Sequence, residues 1–142
     1  MAQTPVRNQP LLTPPELRVR LPEFYRAIDQ FNDGYYFESH ETLEELWRVT
    51  PLPERLLFQA VIQMAAAFVH ICRGKYPGTI YLLEASAAKL REFTPERFGV
   101  DVARLLADIE RARDEIAALG EEHFLQWDAA GVPRIRFVQT AR

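Results

Sequence analysis

The chain has 142 residues, 48% of them hydrophobic and 26% charged, a composition that suits one soluble globular domain with a sizeable core. Its 17 basic residues against 20 acidic ones give a formal net charge of −3, without the basic surplus of a nucleic-acid binder. A single cysteine, Cys72, excludes an intrachain disulfide and fits a reducing cytosol.

The opening "MAQTPVRNQP" lacks the apolar centre of a signal peptide. Pro5, Pro10, Pro14 and Pro15 predict an extended, proline-rich arm over residues 1–21, followed by a single helical domain over 22–142. Pro22 suits the first turn of a helix. Phe24, Tyr25, Ile28 and Phe31 then recur at helical spacing, and "NDG" at 32–34 stops the run, with Gly34 as a left-handed cap. A second helix is predicted over about 36–49, closed by Thr50, Pro51 and Pro53.

The third helix is predicted from about Glu54 to Arg73, ending at Gly74. It contains the longest near-apolar run, "AVIQMAAAFVHIC" at 60–72, which is too short to span a bilayer and carries Gln63 and His70. Pro77 and Gly78 open a fourth helix reaching about Arg91, and "EFTPERFG" at 92–99 reads as a loop. Asp101 can cap a fifth helix, with Val102, Leu105, Leu106, Ile109, Ile116 and Leu119 on one face and Gly120 at its end. A short turn at 123–127 and an extended "VPRIRF" at 132–137, packing back on the rest, complete the chain. The short connections favour antiparallel neighbours, so the predicted fold is an all-α compact bundle of about five helices with extended N- and C-terminal segments.

Two helices carry polar residues where apolar ones belong. In "YYFESHETLEELW" at 35–47, Tyr36, Phe37, Leu43 and Trp47 mark an inner face on which His40 and Glu44 also fall. In the third helix, apolar nearly all round, Gln59, Gln63 and His70 align in one stripe flanked by Ala60, Ala66 and Ala67. Buried polar groups need partners, so the two stripes are expected to meet.

Three uses of such a cluster stay open. The first is a structural hydrogen-bond network in a partner-binding or self-associating module, with a homo-oligomer as the expected partner. The second is a metal-free small-molecule enzyme or sensor. There Glu44 would act as general base or hold His40 in one tautomer, His70 would transfer a proton, and Tyr36 and Trp47 would form the wall. The third is a divalent metal held by His40, Glu44 and His70, with Glu41 as a fourth ligand and Gln63 orienting the set. The reading favours no metal over Zn²⁺, Fe²⁺ or Mn²⁺.

"HETLE" at 40–44 begins like the zinc-protease pattern, but Glu44 stands where the second histidine belongs, so no protease is predicted. Cys72 is expected to be a small core residue and His123 a surface one. "RGKYPG" at 73–78 reads as an interhelical turn.

These residues resemble a known family, the small helical proteins grouped as domain of unknown function 309. The resemblance rests on "FNDGYYFESHETLEELWR" at 31–48 and "LLFQAVIQMAAAFVHICRGKYPGTIYLLEASAAKL" at 56–90. The positions that fit the family pattern are Asn32, Gly34, Phe37, Glu38, His40, Glu41, Glu44, Trp47, Gln63, His70, Gly74 and Gly78. The resemblance implies an all-α fold and special geometry at Gly34 and Gly78. It carries no established activity, cofactor or reaction. Members in bacteria, archaea and plant plastids fit an expected cytoplasmic location.

Overall fold

In the computed structural model, which describes residues 10–139, five α-helices follow one another in a bundle. They are α1 (Pro14–Asn32), α2 (Tyr36–Arg48), α3 (Glu54–Cys72), α4 (Tyr76–Leu90) and α5 (Val102–His123). Each packs chiefly on its neighbours in sequence, and α3 lies between α2 and α4. The aromatic rings of Phe24 and Phe58, 4.9 Å apart, and of Phe31 and Phe68, 6.1 Å apart, also join α1 to α3.

The first helix starts earlier than the sequence suggests. Residues 14–21, expected in an extended arm, already belong to α1; residues 10–13 precede it without regular structure, and residues 1–9 lie outside the described residues. Thr13 is the cap: its hydroxyl accepts from the Glu16 N–H, while the Glu16 carboxylate accepts from the Thr13 N–H at 2.8 Å. Pro14 and Pro15 occupy the first turn, where a missing N–H costs no hydrogen bond. Pro22 therefore sits inside α1, on its exposed side, where water can serve the carbonyl it leaves unbonded.

Four of the helices touch through small residues. The fully buried Ser39 hydroxyl of α2 donates to the Ala27 carbonyl of α1 at 2.7 Å. Ser86 of α4 does the same to Ala60 of α3 at 2.7 Å. Thr79 of α4 reaches Lys75 at 2.8 Å and Ala67 at 3.5 Å. The buried alanines let the backbones approach, and the hydroxyls are satisfied at the crossing.

The loop expected at 92–99 contains one piece of regular pairing. Strands β1 (Glu96–Arg97) and β2 (Val100–Asp101) form a two-stranded antiparallel hairpin, which Phe137 extends by a bridge to Val100. The extended C-terminal segment thus packs back on the bundle, as its sequence suggests. It is clasped by Asn32, whose side-chain amide donates to the Ile135 carbonyl at 2.8 Å and accepts from the Ile135 N–H at 2.9 Å. Helix α5 is broken at Gly120, where φ is 75°, and continues for one turn to His123.

Candidate functional site

The core face of α2 is the line Ser39, Leu43 and Leu46, continued by buried Thr50 just past its end. At about 100° per residue this line lies about 90° from His40. His40, Glu44 and Trp47 therefore occupy the flank of α2 rather than its centre, and all three are half-buried. That flank borders α3. The Arg55 guanidinium stands 4.3 Å above the Trp47 ring, and the Tyr36 and Phe68 rings are 5.8 Å apart. These pairs fix an antiparallel register that puts His40 level with Gln63 and Glu44 level with Gln59.

The stripe on α3 is likewise not at the centre of the bundle. Gln59, Gln63, Ala66 and His70 are half-exposed, whereas Leu57, Phe58, Val61, Met64, Ala65 and Phe68 form the buried side. The expected buried stripes are thus corrected to one outward strip shared by α2 and α3. The sequence could not separate flank from core on α3, because its apolar residues leave only a narrow polar arc. On α2 the missed signal was Ser39, a small residue on the true core line.

Each candidate residue has a definite setting. The His40 ring lies nearly parallel to Phe37, with interplanar angle 11° and centroids 6.4 Å apart. The Glu44 side chain is 37% exposed and sits 3.7 Å from the Arg48 guanidinium, an ordinary surface pair worth about 0–1 kcal/mol. Glu41 is exposed. His70 turns to α4: its Nδ1 lies 2.9 Å from the Ala66 carbonyl and must donate to it, and its ring rests against Gly78. No histidine is fully buried; His40 and His70 are half-buried and His123 is exposed. Cys72, expected in the core, is exposed.

The metal set His40, Glu44 and His70, with Glu41 beside it, is not assembled. Among the described residues no three His, Cys, Asp or Glu side chains are grouped so as to hold a metal ion. The physical reason is the direction of His70, whose ring is taken up by Ala66 and Gly78.

The strip does contain polar atoms without partners. His40 Nδ1, Trp47 Nε1 and Gln63 Oε1 are closed off from solvent and make no hydrogen bond, as is Gln30 Oε1 on α1. Each such atom costs about 1–3 kcal/mol. In this structure the two α2–α3 atoms that face the strip, His40 Nδ1 and Gln63 Oε1, do not bond to each other.

Residues 24–82 match the model of the family Domain of unknown function (DUF309). The match bears out the resemblance and runs from α1 into α4, so the DUF309 segment includes the whole α2–α3 strip and Gly78. It leaves α5 and the C-terminal clasp outside. No curated protein and no solved structure matches the chain.

Proposed function

We propose that this chain is a self-associating binding module and that the α2–α3 strip is the face on which a second copy sits. The observation that carries the reading is the incomplete burial of α3. An 18-residue window of Glu54–Cys72 has a mean hydropathy of 1.5, yet only 44% of it is buried inside the chain. Its length and composition alone would let it cross a membrane, but α2 and α4 already flank it. Small Ala66 at the centre of the strip permits close approach. Glu41 lies toward one end of α2 and Arg48 and Arg55 toward the other, so a twofold rotation sets acid over base. A cytoplasmic setting fits the single free thiol.

Light scattering coupled to size exclusion, from micromolar to millimolar protein, tests this reading. A dimer is expected, and Ala66→Arg should convert it to monomer without loss of helix content. A wild-type monomer at the highest concentration overturns it.

The unpartnered His40, Trp47 and Gln63 atoms favour a second reading, a metal-free small-molecule enzyme or sensor that uses the same strip. It expects His40→Gln to remove binding or turnover in a metabolite screen while leaving the mass unchanged. A screen with no hit on the wild-type chain removes it.

A further inference from the structure

A cavity elsewhere on the molecule depends neither on the α2–α3 strip nor on a second copy. A cavity of about 200 Å³ lies where the start of α2, the end of α3 and the turns after α5 converge. Phe68, fully buried, forms its floor. Trp127 stands nearly parallel to Phe68, with interplanar angle 15° and centroids 6.0 Å apart. Phe124, Ile71 and Val132 complete an apolar wall. Trp127 is held from outside: its Nε1 donates to Glu115 Oε1 at 2.9 Å, and Gly131 lies so close that a Cβ there would fall 2.8 Å from the indole. The wall is thus set in place rather than collapsed inward.

The lining decides the class of occupant. None of its residues is charged, so a charged ligand would lose hydration without a counter-charge. The parallel rings suit a flat ring. The volume exceeds the roughly 150 Å³ of an engineered apolar cavity that accepts benzene, and it is too small for a peptide helix or a nucleotide. Two residues of the lining carry polar side-chain groups, Tyr36 with its hydroxyl and Cys72 with its thiol. Burial, with a smaller push from Cys72, raises the Tyr36 phenol above its ordinary value, so at neutral pH it keeps its proton and donates. We infer that this cavity binds a small neutral aromatic molecule that carries an oxygen acceptor, with its ring against the Phe68–Trp127 wall and its oxygen toward Tyr36.

The test uses the full chain labelled with ¹⁵N, titrated separately with acetophenone, toluene and benzoate. The expected result is a saturable shift of the Trp127 indole N–H and the Leu125 and Cys72 amides with acetophenone. Toluene should bind more weakly, and benzoate at least tenfold more weakly. Ala129→Phe, which adds a ring at an exposed position of the lining, should abolish the acetophenone shifts while the remaining spectrum stays native. Tyr36→Phe should weaken acetophenone several-fold and leave toluene unchanged. The proposal is overturned by the absence of a saturable shift at Trp127 up to the solubility limit. Equal binding of benzoate, or acetophenone binding that survives Ala129→Phe, also overturns it.

Discussion

Gly78 shows how one missing side chain fixes a neighbour. The His70 imidazole fills the space where a Cβ would project, with Nε2 3.1 Å from that point. Gly78→Ala must therefore displace the ring or part α3 from α4, at about 1–3 kcal/mol, the usual range for overpacking. Urea unfolding should show that loss in the wild-type background and most of it recovered in His70→Ala/Gly78→Ala. An unchanged midpoint for Gly78→Ala alone would refute the contact. Ser86→Ala should cost about 1 kcal/mol through the bond to Ala60. At this scale the sequence was only partly legible. That Gly78 needs special packing could be read from its family pattern. That His40 and Glu44 share one flank of α2 could be read from helical spacing. The direction of His70 could not, because local periodicity ranks residues around one helix and says nothing of which neighbour takes each flank.

Among the elements, α1 departs most from expectation. Counting prolines marks residues 14–21 as irregular, but a helix tolerates proline in its first turn, and Thr13 with Glu16 forms a complete capping box. Thr13→Ala should cost about 1 kcal/mol. Pro22→Ala, which restores an interior hydrogen bond, should raise stability by about 1–3 kcal/mol. Thermal melts of the two variants should move in opposite directions. The same helix responds to acid. The Arg20 guanidinium holds the Glu23 carboxyl below its ordinary value of 4.5, and hydrogen bonds from Thr13, the backbone one foremost, do the same for Glu16. A folded-state pKa below the unfolded one means stability present above about pH 4.5 and lost as pH falls through the folded value. The variant Glu16→Gln/Glu23→Gln should therefore show a flatter fall of the urea midpoint between pH 5 and about 2.5 than the wild type. Parallel curves would deny the two carboxylates that role. The remaining elements were legible because they are long, strongly periodic and punctuated by Gly34, Gly74 and paired prolines. The β1–β2 hairpin was not, because two-residue strands carry no periodicity of their own.

For the molecule as a whole, the decisive tie is that of Asn32 to Ile135, a two-bond clasp between residues separated by 103 positions. Asn32→Ala should free the C-terminal segment, with faster proteolysis around residues 133–138 and a loss of about 1–3 kcal/mol. Asn32→Asp should act similarly, since a carboxylate cannot donate to the Ile135 carbonyl. Cleavage kinetics unchanged from the wild type would show that the segment is held by other contacts. The long separation also sets an order of events during biosynthesis. Residue 32 leaves the ribosome well before residue 135 exists, and at roughly 5–20 residues per second the interval is on the order of 5–20 s. Once α4 has been made, α1 to α4 must hold together unclasped until residue 135 arrives, with the surface later covered by Ile135 and Phe137 open to chaperones or to another nascent chain. Residues 24–82, which match the DUF309 model, emerge long before the segment that closes over them and wait for it.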